Sequence, residues 1–158
     1  MQTRLIAAIT VFALALASPA LAEQIHLVCA GGGTANEVAS SRIQGKDANG
    51  DATTHTVYSP YTIGFQDQVD VEINGETGKI RMPRTMLPTF HGGSGGLFDL
   101  KKLRISEREI TASVALNFMN SPKLRLDRMT GHIAINGSVG AFSGECRPYD
   151  PNSAQRRF

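Results

Sequence analysis

The stretch "VDVEINGETGKIRM", residues 69 to 82, decides the fold. Val69, Val71 and Ile73 alternate with Asp70 and Glu72; past Asn74-Gly75, Ile80 and Met82 alternate with Lys79 and Arg81. A period of two, one face apolar and the other charged, marks a half-buried strand. Two such runs around a glycine-containing turn make a β-hairpin. The same rhythm recurs downstream. Ile110, Ala112, Val114, Leu116 and Phe118 form the longest clean alternation, which Asn120-Ser121-Pro122 breaks. Leu124 and Leu126 follow, then a turn at Thr130-Gly131, then Ile133 and Ile135. Phe98 and Leu100 have one parity and Leu103 and Ile105 the other, so a one-residue slip predicts a β-bulge near Lys101-Lys102.

No long segment beyond residue 22 carries the 3.6-residue apolar period of a helix. The expected fold is therefore all-β: a single antiparallel meander of about seven to nine strands, closing as a small barrel or a sandwich. Its boundaries are expected at residues 23–147, with 148–158 a flexible tail. Residues 31–66 are the poorest in pattern, being rich in Gly, Ser, Thr, Asn and Asp. They are expected as an irregular excursion, with one strand at Thr53 to Tyr58. Tyr58, Tyr61 and Phe65 fall within it, either as core plugs or as contacts to a partner.

The first 22 residues read as a cleaved signal peptide. Arg4 supplies the positive start, a mainly apolar run follows, and Ala20-Leu21-Ala22 offers the small residues that signal peptidase accepts. The run is shorter than the ~20 residues a membrane span needs, so no transmembrane segment is expected in the mature chain. The location is then the periplasm or the extracellular space. Removing Arg4 takes the net charge from +2 to +1, and near-neutrality argues against nucleic acid or anionic membrane as a general partner.

Two cysteines, Cys29 and Cys146, lie near the two ends of the mature chain. An even count in an exported chain predicts a disulfide. Ile25, Leu27 and Cys29 share one parity, and so do Phe142, Gly144 and Cys146. Both sulfurs are thus expected on the buried face of neighbouring first and last strands. The glycine triplet after Cys29 is expected as a strand exit needing positive φ.

Candidate chemistry fails on its own requirements. Gly31 and Gly33 start a dinucleotide fingerprint, but Asn36 stands where its third glycine belongs and no helix follows. "GGSGG", residues 92–96, matches a nucleophile elbow as a string, yet leads into a strand-like segment. "DANGD", residues 47–51, has calcium-ligand spacing but lacks the glycine and glutamate of an EF-hand loop, so an Asn-Gly turn explains it better. His26, His55, His91 and His132 show no metal-ligand spacing beyond His26 with Cys29, whose thiol the disulfide takes. The basic residues from Lys101 to Arg108 and from Lys123 to Arg128 alternate as solvent faces without interleaved aromatics. No catalytic, cofactor or metal residue is assigned.

"HLVCAGGG" (26–33), "RMPRTMLP" (81–88), "VALNFMNSPKLRLDR" (114–128), "LDRMTGHIAI" (126–135) and "FSGECRP" (142–148) give the chain a resemblance to small exported proteobacterial proteins of unknown function. The resemblance implies a disulfide clamp and a hairpin turn, and brings no activity and no functional residue. The expected role is a non-enzymatic envelope binding or accessory protein. Its partner would be an envelope protein or a small apolar ligand. A protein inhibitor of an enzyme in the same compartment is the alternative, and an enzyme with an unrecognised site comes third. A hollow barrel would favour a ligand; a filled one would favour a protein partner.

Overall fold

The computed structural model describes residues 24–149. The expected signal peptide and the end of the tail lie outside these residues. Eight antiparallel strands run in sequence order and close into a barrel. They are β1 (Gln24–Lys46), β2 (Ala52–Asn74), β3 (Thr77–Arg81), β4 (Leu97–Ile105), β5 (Glu109–Val114), β6 (Lys123–Asp127), β7 (His132–Gly137) and β8 (Gly140–Pro148). A single turn of 3-10 helix spans Arg84–Met86. β8 continues to Pro148, one residue past the expected end of the domain.

The alternation that dictated the strands also dictates the core. Val69, Val71, Ile73, Ile80, Phe98, Val114, Leu124, Ile133, Ile135 and Phe142 point inward and are essentially inaccessible. Met82, Met86 and Leu116 close one end of this core. The interior is a packed core rather than a hollow, as expected of a small eight-stranded barrel. The outer face carries Lys79, Asp99, Lys101, Lys123, Arg125 and Glu145, all exposed. That is the reverse of a lipid-facing apolar band. No helix among the described residues is long and apolar enough to cross a membrane.

The slip in parity after Leu100 is a bulge: the β4–β5 register shifts between Lys101 and Arg104, and Lys102 has φ 54°. One alternation overreaches. β5 ends at Val114 and, although Leu116 is buried, Phe118 is 94% exposed. Asn117 causes the departure. Its side-chain oxygen accepts the N–H groups of Met119 and Asn120, an Asx turn that competes with the ladder.

The larger correction concerns residues 31–66, which are ordered β-structure and not an irregular excursion. β1 and β2 pair residue for residue from Gln24–Asn74 out to Lys46–Ala52. Beyond Ala35, where β1 leaves β8, the pair continues as a two-stranded ribbon projecting from the barrel. "DANGD" is its tip. Asp47 caps the turn by accepting the N–H groups of Asn49 and Asp51, and Gly50 takes φ 85°.

The seam closes where the cysteines demand. Cys29 and Cys146 face each other in the β1–β8 register and are bonded across 117 residues of chain. Gly31, Gly32 and Gly33 stay within β1 and none has positive φ, contrary to expectation. Their reason is proximity. A Cβ on Gly31 would lie 2.1 Å from the Ser143 carbonyl oxygen, and one on Gly33 would lie 1.9 Å from that of Ala141.

Candidate functional site

A meander barrel gathers its loops at two ends. The ribbon, residues 82–96, residues 115–122 and the turn at 137–140 share one, called here the ribbon end. The chain termini of the barrel and the turns near residues 75, 107 and 129 share the other, the mouth end.

At the ribbon end two loops are stitched together. Asn117 Nδ2 donates to the Phe90 carbonyl at 2.7 Å, and the Gly92 N–H donates to the Leu116 carbonyl at 2.7 Å. Asn120 accepts a hydrogen bond from Ser138 at 2.6 Å, which ties in the β7–β8 turn. Fixed on these loops are Phe90, Phe118 and Met119, at 85%, 94% and 72% exposure. Scattered apolar surface residues are ordinary, but three large ones on adjoining, hydrogen-bonded loops form a patch. Residues 82–96, 115–122 and 137–140 contain no carboxylate; Arg84 and His91 are their polar-charged members. "GGSGG" belongs here. Ser94 and Leu97 bridge through paired backbone bonds and β4 follows directly, so no nucleophile elbow forms.

At the mouth end β3 pairs β4 only from Lys79 to Arg81, and the bulge at Lys102 turns β4 away. The sheet parts there, leaving an open groove of about 1320 Å³ lined by Ile25, Leu27, Ile73 and Leu103 and by a charged rim that includes Glu72, Glu76, Lys79, Asp99, Lys101 and Lys102. Tyr149 also lines it, with its ring 4.3 Å from that of His26.

The four histidines are dispersed. His26 lies 3.7 Å from Glu72 across the β1–β2 pair, His55 lies on the ribbon, and His91 packs edge-on against Phe98. No group of three or more His, Cys, Asp or Glu capable of holding a metal occurs among the described residues. Tyr58 and Tyr61 are exposed, whereas Phe65 is half-buried and stacks on Phe142 at 6.3 Å.

Sequence reasoning missed one constellation. His132 Nδ1 is 3.1 Å from Glu145 Oε1, and His132 Nε2 is 3.2 Å from Ser143 Oγ. With Nδ1–H donating to the carboxylate, Nε2 accepts from the serine hydroxyl, which is the order of a catalytic triad. The surroundings withhold the rest. All three residues are exposed on the outer wall of the barrel. Ser143 lies mid-strand, paired with Gly32 on one side and Ala134 on the other. The backbone N–H groups that could face an oxyanion are committed to the ladder. The trio is a cross-strand polar cluster that only the β7–β8 register brings together.

Asp127 shows what a charged residue does in this frame. Its carboxylate accepts the N–H groups of Thr130 and Met129 at the β6–β7 turn, and these bonds hold its pKa below the ordinary value. A depressed carboxyl stabilises the fold above its unfolded pKa and loses that contribution as pH falls through the folded one. Asp127→Asn keeps an acceptor in place without a titrating proton. Its melting temperature is therefore expected to fall less steeply than that of the parent as pH drops from about 4 into more acid solution. Parallel melting curves over that range would remove Asp127 from the acid response.

Comparison of the chain with family models, curated proteins and solved structures finds no match.

Proposed function

We propose that the protein is a non-enzymatic binding module of an exported compartment that docks a protein partner on the ribbon end of the barrel. The observation that carries this reading is the triplet Phe90, Phe118 and Met119, held out in water by a hydrogen-bonded loop pair. Apolar and aromatic side chains fixed in position supply contact area at little entropic cost, which is how binding hot spots are built. The filled interior supports a protein partner over a ligand carried inside the barrel. The disulfide supports an oxidising compartment. A protein inhibitor is one form of the same module, with residues 89–96 entering the partner's cleft.

A photo-crosslinking side chain placed at position 118 tests it in the native host. A discrete protein adduct is expected from position 118 and none from position 129, whose exposed methionine lies at the mouth end. Asn117→Ala frees Phe90 from Phe118 and is expected to weaken the adduct several-fold while leaving the melting temperature within a few degrees. Equal adducts from both positions, or none from position 118, would overturn the reading.

The mouth groove favours a second reading, a small apolar ligand. A melting shift with a medium-chain fatty acid that disappears in Leu103→Asp would move the function to that end.

A further inference from the structure

We infer that the ribbon is a self-association arm: two copies pair edge to edge through residues 37–45 of β1, antiparallel about a twofold axis at Ser41. A two-stranded ribbon standing free of other layers is marginally stable in water, and its open edges are templates for another strand. Val38, Ile43, Val57, Tyr58 and Tyr61 are exposed along it.

Backbone parity tells which edge is open. The Asn36 N–H donates to the Val139 carbonyl, the last bond of the β1–β8 seam. The β1–β2 register then runs unbroken to the tip. Val38, Ser40, Arg42 and Gln44 therefore turn their N–H and C=O groups outward, away from β2. On β2 the outward set includes position 60, since Val38 opposes Pro60. Proline has no N–H to offer, so the β2 edge is blunted midway along its free stretch. The β1 edge has no such block from 37 to 46.

The β1 edge is also complementary to itself. Antiparallel pairing of two identical strands needs partners of equal parity, so the axis must fall on a residue. An axis at Arg42 would set two guanidinium groups directly opposite each other, which is unfavourable. An axis at Ser41 uses the full free edge. It sets Val38 against Gln44, Ala39 against Ile43 and Ser40 against Arg42, with no like charges opposed. This register forms about eight backbone hydrogen bonds and gives exposed Ile43 an apolar neighbour in Ala39 of the second copy. The sulfurs of Cys29 and Cys146 bridge a directly opposed pair whose backbone bonds point away from each other. Ser41 and its symmetry mate would occupy the same kind of pair.

Sedimentation velocity of the full exported protein over about three decades of concentration is the primary measurement, with a concentration-dependent dimer expected. Ser40→Pro removes an outward N–H from the β1 edge and is expected to weaken the dimer at least tenfold. Tyr58→Pro, on the edge already blunted by Pro60, should leave it within a factor of a few. Mild oxidation of Ser41→Cys should give a covalent dimer rapidly, and Ala39→Cys should give it far more slowly. A monomer at every concentration overturns the inference. So does a dimer that ignores Ser40→Pro, or one that crosslinks through position 39 as readily as through 41. Intact melting of each variant separates loss of pairing from loss of fold.

Discussion

Reducing the Cys29–Cys146 bond is expected to lower the melting temperature by roughly 12–25 °C. The bond closes a loop of 117 residues, nearly the whole described chain. Chain-entropy reasoning assigns such a loop about 4–5 kcal/mol, carried mainly by the unfolded state it restricts. A domain of this size loses roughly 3–5 °C per kcal/mol, which gives the range above. The position of the bond adds to its effect. It joins the first and last strands, so it fastens the one seam that no hairpin turn holds. The reduced protein should still fold, because β1 and β8 also pair from Leu27–Pro148 to Ala35–Gly140. The measurement is a melt with and without reductant, repeated on the Cys29→Ala/Cys146→Ala double variant. Superimposable melts would show that the ladder alone carries the closure.

What the sequence revealed and what it hid follows from where each segment meets the core. The hairpin of residues 69–82, the bulge at Lys102 and the inward facing of Cys29 were legible because each involves strands with one face on a shared apolar interior. Alternation is the trace of that interior. The ribbon has water on both faces, so it selects for no alternation, and its strands could not be read from apolar period. Its Thr- and Tyr-containing composition was the surviving signal, and it marked only Thr53 to Tyr58. Parity alone extends the alternation to Phe118, because it does not register an Asx turn at Asn117. The ribbon-end patch was illegible for a different reason. Phe90 and Phe118 adjoin through a hydrogen bond between loops that the chain separates by two strands. The His132–Ser143–Glu145 cluster likewise exists only once the register of β7 on β8 is known.

Gly33→Ala is expected to cost about 3 kcal/mol or more, and about 10 °C of melting temperature, although it adds only a methyl group. The added Cβ would lie 1.9 Å from the Ala141 carbonyl oxygen and 2.9 Å from the Phe142 Cα. Both neighbours are backbone, so no rotamer change relieves the contact; the strands themselves must separate. β8 cannot yield easily, because its own glycines are under the same constraint. A Cβ on Gly140 would meet the Thr34 carbonyl oxygen at 2.0 Å, and one on Gly144 that of Ala30 at 2.5 Å. The seam is thus a run of close backbone approach from both sides, clamped at one end by the disulfide. Gly45→Ala is the matched control. It lies on the same strand in the ribbon, where the nearest atom, Thr53 Oγ1, is 3.7 Å away, and it should be neutral or slightly stabilising. Because the disulfide and Gly33 act on one seam, their effects should not add. A barrel already parted by the methyl has less closure for reduction to release, so the double perturbation should cost less than the sum of the two. Similar melting of Gly33→Ala and Gly45→Ala would mean that the seam relaxes around a side chain, and the glycine triplet would lose its steric explanation.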